Sequence, residues 1–312
     1  MTTRSDTGPV KARRRLSSQV LGILIVLASI TGLSFNSTIA KSSKLPGPVF
    51  AFWRMAFASI AWVIIIGFRR ERFSRAELMK VAPAGILFGS NICLFLTGVQ
   101  RTRIANAEFL GTLTPLLVVP YAAFRLGERV RRQTLILGAF GLMGVSLIVL
   151  NTPSRGTHRW SGDLMILGAI SLWATYLAVT RPIRSQLGTT KFMAGMSVFA
   201  LLTITPIALL HGGVTKLVWP KGWLLVLTSA MVAGVISHGT LAWSQQLVPL
   251  STISLLGLAQ PGLGVTWGRV FLHETVRPIQ VVGMICVLIC VGLIARSESR
   301  KAPAVGPVEG VT

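Results

Sequence analysis

Charged residues are scarce in this chain of 312 residues. Only 13% of the residues are Asp, Glu, Lys or Arg, whereas 52% are hydrophobic and the mean hydropathy is +0.67. Ordinary soluble domains are about 25% charged and about 45–50% apolar. The composition therefore all but excludes a soluble enzyme and predicts a membrane protein.

Acidic residues are the scarcer charge. Nine Asp and Glu stand against 31 Lys and Arg, which gives a net charge of +22. On a soluble chain this excess would suggest a nucleic-acid partner, with bases interleaved among aromatics on one folded face. Here the bases form short clusters between long uncharged stretches, a pattern typical of cytoplasmic loops. We expect the lipid bilayer as a partner and no nucleic acid.

Cysteines and catalytic motifs are also few. Cys93, Cys286 and Cys290 all lie inside apolar runs, so the sequence indicates neither a disulfide framework nor a Cys-x-x-Cys metal site. The chain has no His-Glu-x-x-His, no P-loop and no Gly-x-Ser-x-Gly. We expect no metal, no cofactor and no ATP hydrolysis, which leaves an ion gradient or the solute's own gradient as the energy source.

Long apolar runs recur along the whole chain. A helix needs about 20 residues to cross about 30 Å of hydrocarbon. Ten such windows predict an all-α polytopic membrane protein with about ten transmembrane helices. The predicted spans are 20–40, 46–68, 81–100, 104–124, 134–150, 164–179, 192–211, 223–243, 249–271 and 279–295.

The basic clusters predict the orientation. Most Lys and Arg fall in 11–15, 69–80, 125–132, 181–191 and 296–301, which all lie on one side of the predicted bundle. Lys and Arg accumulate on the cytoplasmic side of membrane proteins. We therefore expect a multi-pass protein of the plasma membrane with both termini cytoplasmic. The basic tail 1–18 and the tail 297–312 then lie in the cytoplasm.

The two halves of the chain repeat each other. Pro115 is followed 13 positions later by Glu128, and Pro261 is followed 13 positions later by Glu274, at an offset of 146 residues. We therefore expect repeats at 19–151 and 160–296, each with five spans. Because five is odd, the second repeat must enter the membrane from the opposite side, so the two repeats are inverted.

Several short motifs carry a family resemblance. They are the paired Pro and Glu just described, Ser161-Gly162-Asp163-Leu164 and Phe52-Trp53-Arg54-Met55. Together with two copies of five spans, they resemble the EamA-type branch of the drug/metabolite transporter superfamily. The resemblance implies a basket of ten helices in two inverted halves that moves small metabolites, often outward.

Arg54 is the strongest candidate for substrate binding. It falls near the middle of the second predicted span, where an ionisable side chain indicates a functional site. It could be the counter-charge of an anionic or zwitterionic substrate, or pair with a buried carboxylate. It could also have a packing role or extend to the membrane surface, and the residues alone favour neither reading.

Two further titratable groups are candidates for proton coupling. His238 lies in the eighth predicted span, and histidine changes charge near neutral pH. It could instead be a neutral hydrogen-bond partner between helices. Glu108, one turn into the fourth span, could take up a proton or pair with Arg54, or lie in water at the outer mouth. Glu128 and Glu274 lie at helix ends beside bases, which favours a role in holding the fold.

Other polar and aromatic side chains are expected to line a central cavity that suits an amphipathic solute. We assign substrate binding to Asn36, Arg54, Asn91, Trp173, Tyr176, His238, Trp243 and Gln260. The tryptophans could instead belong to an interfacial belt. Pro115 and Pro261 each remove a backbone hydrogen bond at equivalent places, so we expect structural hinges there.

The sequence thus predicts a secondary transporter of small organic metabolites, most simply an exporter of amino acids or related solutes that works by alternating access. A proton or solute gradient would drive it. Two alternatives belong to other classes. A membrane-embedded enzyme that modifies lipids would need convergent catalytic groups at one membrane face, and a passive channel would give flux that does not saturate.

Overall fold

The computed structural model describes residues 8–102, 104–151, 159–184, 186–211, 220–272 and 275–299. Within these ranges the chain forms helices and short connections, with no β-strand. This agrees with the all-α prediction. It also satisfies a requirement of the bilayer, because a helix pairs its own backbone N–H and C=O groups where no water is present to do so.

The first half of the chain contains six helical segments. They are α1 (Gly8–Ser42), α2 (Gly47–Phe68), α3 (Arg75–Arg101), α4 (Ile104–Gly111), α5 (Thr114–Leu126) and α6 (Arg132–Leu150). The helix ends follow local sequence. Ser74 and Glu77 form a capping box at the start of α3, and Gly127 ends α5 in the left-handed conformation with φ +65°.

The second half has the same plan with more interruptions. Its segments are α7 (Trp160–Arg184), α8 (Thr189–Leu210), α9 (Pro220–Ser229), a π-helix (Ala230–Ser237), α10 (His238–Ser244), α11 (Leu250–Leu256), a 3-10 turn (Gly257–Ala259), α12 (Gln260–Leu272) and α13 (Pro278–Ser299). The segment from α9 to α10 runs on as one rod, whereas α11 and α12 are divided by the 3-10 turn.

Nine helices in the described ranges are long and apolar enough to cross a membrane. Five of them belong to the first half, at Gln19–Ala40, Gly47–Phe68, Arg75–Arg101, Phe109–Leu126 and Arg132–Leu150. The count of ten is not confirmed, because the predicted ninth span, 249–271, which forms α11, the 3-10 turn and α12, is not among the nine.

The two halves pack as a pseudo-symmetric pair. Helix α3 packs against α7, and the equivalent rod of the second half, from α9 to α10, packs against α1. Helices α2 and α8, which occupy the same place in their halves, pack against each other, and so do α6 and α13. Each helix contact made by one half thus has an equivalent contact made by the other half, as expected for two repeats.

Glycines allow the α6–α13 pair to approach closely. A Cβ atom placed on Gly283 would lie 2.6 Å from the carbonyl oxygen of Gly144 and 2.9 Å from the side chain of Ile148. A backbone carbonyl cannot turn aside as a flexible side chain can. The contact therefore depends on the absence of a side chain at Gly283, which is how small residues let membrane helices pack.

We expect Gly283→Ala to destabilise the α6–α13 pair by about 1–3 kcal/mol, because overpacking forces the backbones apart. The measurement is thermal unfolding in detergent. Gly292→Ala in the same helix is the matched control, since a Cβ there meets no atom within 4 Å. Equal melting temperatures for the two variants would show that the close contact does not limit stability.

The broken segment from α11 to α12 is expected to cross the membrane as a tenth span. A fluorescent protein fused after Val248 should then fluoresce in the cytoplasm, and alkaline phosphatase fused after Val276 should be active outside. The exchanged reporters are the control and should both be silent. Two fusions that report the same side would leave the second repeat with an even number of crossings and remove the inverted arrangement.

Candidate functional site

A cavity of about 160 Å³ lies between the two halves of the bundle. Both halves contribute to its walls. The lining residues are Leu33, Asn36, Arg54, Asn91, Ile92, Phe95, Leu96, Ala107, Gly111, Thr112, Thr114, Ile170, Trp173, His238, Gly257, Gln260 and Pro261. The lining combines apolar side chains with a few polar groups, which is the usual character of a binding site for a small molecule.

Arg54 supplies the positive charge of this cavity. Its residue surface is 2% exposed, and α2 carries it into the lining. Among the side chains that the structure describes, no carboxylate forms an ion pair with its guanidinium group, and its Nε atom is buried without a hydrogen-bond partner. A buried, unpaired charge is unfavourable unless a ligand pairs with it.

His238 also lines the cavity, as the first residue after the π-helix. The ring of Phe88 meets the imidazole edge to face at a centroid distance of 4.8 Å, and the Trp173 ring lies 5.8 Å away. The backbone N–H of His238 donates to the carbonyl of Ala233, five residues earlier, as in a π-helix. Such insertions recur at functional sites because they redirect the side chains that follow them.

Aromatic rings pack beneath His238. The Trp173 ring, which lines the cavity, stacks on the Tyr176 ring at 5.1 Å with an angle of 24° between the planes. Tyr176 in turn contacts Phe88 at 5.2 Å and is 2% exposed. Tyr176 is thus not part of the lining but supports Trp173 from behind.

Amide side chains supply further polar groups. The Asn91 Nδ2 atom donates to the carbonyl of Ala169 at 2.7 Å, which leaves its Oδ1 atom free to accept a hydrogen bond. The Oδ1 atom of Asn36 accepts from the hydroxyl of Ser229 at 2.5 Å, which leaves its N–H groups free to donate. Gln260 reaches the cavity from the start of α12. The cavity therefore offers both donors and acceptors.

The helices that carry Pro115 and Pro261 each begin just after a break beside the cavity, and the two breaks lie at equivalent places in the repeats. Helix α4 ends at Gly111, and the 3-10 turn of the second half begins at Gly257, which is one repeat offset of 146 residues later. Pro115 and Pro261 each follow the break as the second residue of the next helix. Pro261 lines the cavity, whereas Pro115 is buried behind it.

Threonine hydroxyls compensate for the backbone donor lost at the first break. The Thr114 hydroxyl donates to the carbonyl of Gly111 at 2.8 Å, the carbonyl that the missing N–H of Pro115 leaves free. The Thr112 hydroxyl donates to the carbonyl of Phe109 at 2.6 Å. These bonds allow an irregular backbone at membrane depth, which is tolerated where it lines a cavity.

The structure brings together most, but not all, of the residues expected from the sequence. Asn36, Arg54, Asn91, Trp173, His238 and Gln260 line one cavity. Trp243 lies on α10, outside the lining. The side chain of Glu108 lies outside the described part of the structure, so its expected pairing with Arg54 does too.

Sequence reasoning missed Gly111, Thr112 and Gly257. The available signal was the repeat itself, because Gly111 and Gly257 stand at the same distance before the two prolines. No group of three or more His, Cys, Asp or Glu able to hold a metal occurs among the described residues.

The fold and the cavity define a multi-pass membrane protein with two repeats and a binding pocket between them. A sequence model of the EamA-like transporter family matches residues 20–150 and 160–296. The chain therefore belongs to the EamA-like transporter family. This membership makes it a transporter and not an enzyme.

Several curated relatives align over most of the chain. The threonine/homoserine exporter RhtA of Escherichia coli (strain K12) is 24% identical, over 85% of this chain and 88% of that protein. The pseudopaline exporter CntI of Pseudomonas aeruginosa (strain UCBPP-PA14) is 22% identical, over 89% of this chain and 96% of that protein. A transporter of Bacillus subtilis (strain 168), YetK, is 24% identical over 94% and 93%.

A solved crystal structure shares the fold. It superposes with a TM-score of 0.74 at 18% sequence identity and covers 88% of this chain and 98% of that one. At this identity the likeness establishes the arrangement of the helices and nothing about the transported solute.

Proposed function

We propose that this protein exports small metabolites that carry a carboxylate, amino acids or closely related solutes, by secondary active transport. The observation that carries the proposal is Arg54. Its guanidinium group is buried in the cavity between the repeats and has no acidic partner among the described side chains. A carboxylate is the natural ligand, because guanidinium binds it through two parallel, charge-assisted hydrogen bonds.

The size of the cavity favours a small solute. Pockets for drug-sized ligands are typically about 300–1,000 Å³. The cavity here is about 160 Å³, well below that range. A solute with few heavy atoms fits this volume, whereas a compound of several rings would require a wider state of the protein.

The polar lining matches the rest of an amino acid. The free Oδ1 atom of Asn91 can accept from an ammonium group, and the Trp173 ring offers a face for a cation–π contact. Gln260 can bind a side-chain hydroxyl as either donor or acceptor. The names of two relatives, a threonine/homoserine exporter and a pseudopaline exporter, support both the substrate class and the outward direction.

Alternating access is the mechanism that the two repeats support. Halves related by an axis in the membrane plane can open a central site first to one side and then to the other. We place both termini in the cytoplasm of a plasma-membrane protein, on the strength of the basic clusters. A passive channel is the competing mechanism, and it would give flux that does not saturate with solute concentration.

Proton coupling completes the proposal, with His238 as the principal candidate. It lines the same cavity as Arg54, so a proton on its ring and the charge of a bound solute would affect each other directly. Glu108, on the adjoining helix α4, is the second candidate.

The substrate is tested with purified protein in liposomes and labelled L-threonine. The Arg54→Gln variant, which lacks the guanidinium group, should raise the KM for L-threonine about 10–100-fold, because the charged hydrogen-bonded contact with the carboxylate of the solute is lost. L-Threonine should compete with the label, whereas L-threoninamide, which lacks the carboxylate, should not. Arg69→Gln is the matched control, because the Arg69 side chain is 64% exposed and pairs with Glu71 at the surface.

The same Arg54 variant should unfold at a temperature no lower than the native protein, because it removes a buried charge that has no acidic partner among the described side chains. This result would separate a lost contact from a misfolded protein. Equal competition by L-threonine and its amide, or an unchanged KM in Arg54→Gln, would contradict the carboxylate assignment.

Proton coupling is tested by imposing a pH gradient across the liposome membrane. Native protein should accumulate solute against its gradient, and an uncoupler should abolish the accumulation. His238→Gln should still exchange labelled for unlabelled solute across the membrane. Without any uncoupler, however, it should accumulate no more solute than the native protein does when the uncoupler is present. His211→Gln is the matched control, since His211 is exposed at the end of α8. Undiminished accumulation in His238→Gln would transfer the role to another group, with Glu108→Gln as the next variant.

A further inference from the structure

Glu128 connects the two repeats at one end of the bundle. The left-handed Gly127 ends α5, and the backbone N–H of Glu128 turns back to donate to the carbonyl of Ala122 at 3.0 Å. This turn points the Glu128 side chain away from its own repeat, toward α7 and α11 of the second repeat.

The Glu128 carboxylate makes four contacts with that second repeat. Oε1 accepts from the backbone N–H of Leu250 at 2.9 Å, and Oε2 accepts from the backbone N–H of Ser251 at 3.0 Å and from its hydroxyl at 2.7 Å. Oε1 also forms an ion pair with Arg181, near the end of α7. One carboxylate thus holds the first turn of α11 and the end of α7 against α5.

This contact lies at the end of the bundle that also carries Gln19 and Glu298, which we call the terminal end. There the Gln19 side chain of α1 donates to the backbone carbonyl of Glu298 in α13 at 2.8 Å. Between the cavity and this end, α7 presents Tyr176, Thr180 and Arg184, which are 2%, 0% and 2% exposed. The face of α7 that carries these three residues is therefore packed and closed to water between the cavity and the terminal end.

Helix α11 leads directly to the cavity. It is followed by the 3-10 turn and then by Gln260 and Pro261, which line the cavity wall. Ten residues separate Leu250 from Gln260, or about 15 Å along a helix. The position of the first turn of α11 thus helps to determine where Gln260 lies.

We propose that Glu128 is a positioning residue for transport: it holds α11 and α7 against α5 and so keeps the terminal end closed while the cavity is open to the other end. The proposal rests on the alternating access proposed above, but not on the identity of the solute. The contact is reversible, because the Glu128 and Arg181 side chains are 10% and 23% exposed and can regain water when the repeats separate.

The test measures access from the terminal side. Thr180→Cys provides a reporter thiol in the closed route, in a chain whose Cys93, Cys286 and Cys290 have been replaced by alanine and which still transports. The reporter should react slowly with a membrane-impermeant maleimide added to the terminal side. Adding Glu128→Ala should speed the labelling about tenfold or more, because the terminal-open state gains population.

Glu71→Ala is the matched control. Glu71 is also a glutamate at the terminal end. Its Oε1 atom lies 3.7 Å from a guanidinium nitrogen of Arg69, so this ion pair stays within the first repeat and does not join the two repeats. Labelling in this variant should match the parent chain. Glu128→Gln should be intermediate, because the amide retains an oxygen acceptor for α11 but loses the charge that pairs with Arg181.

Transport supplies a second readout. In Glu128→Ala the Vmax should fall, because the state closed at the terminal end forms less often, and the KM measured from the terminal side should fall as well, because a larger fraction of the protein is open to that side. If Glu128→Ala does not fold, Ser251→Ala and Arg181→Gln each remove one contact and should still speed labelling. Folded variants of Glu128, Ser251 or Arg181 whose Thr180→Cys labelling is unchanged would overturn the proposal, whatever solute the protein carries.

Discussion

The hydrocarbon core of the bilayer imposes the constraint on which the rest of this structure depends, because it offers no hydrogen-bond partner to the backbone. The described chain satisfies it by forming helices almost everywhere. It departs from the α-helix at three places in the membrane region, near Thr112, between Ala230 and Ser237, and at the 3-10 turn after Leu256. Each departure lies at or next to the cavity, where side chains or adjusted backbone bonds replace the lost helix bonds.

The repeated architecture places two of these irregularities in the lining of one cavity. The breaks after Gly111 and at Gly257 come from different repeats, yet both line the pocket. The π-helix before His238 has no counterpart in α3, which is continuous from Arg75 to Arg101. The scaffold is therefore symmetric, whereas the site is not. This is what a transporter needs when one pocket must bind an asymmetric solute and yet open to either side.

Two buried arginines differ in how far the protein itself satisfies their guanidinium groups. Arg184 donates to the carbonyls of Ala242 and Leu187 and to the hydroxyl of Thr189, and its guanidinium carbon lies 5.4 Å from the centre of the Phe192 ring. Arg184 is thus satisfied by the protein itself. Arg54 is equally buried but has no such set of partners among the described residues, and its Nε atom accordingly makes no hydrogen bond there.

The sequence by itself determined the all-helical membrane class, the two repeats and most of the residues that line the cavity. Apolar runs and a constant offset are properties of the chain, and a polar side chain is conspicuous in such runs. Only the tertiary structure decided that Tyr176 supports Trp173 rather than lining the cavity, that Trp243 lies outside it, and that Glu128 reaches across to Leu250. These outcomes depend on which residues distant along the chain pack together. A hydrophobic periodicity or a short sequence motif cannot specify which distant residues pack together, because it describes neighbours along the chain and not neighbours in space.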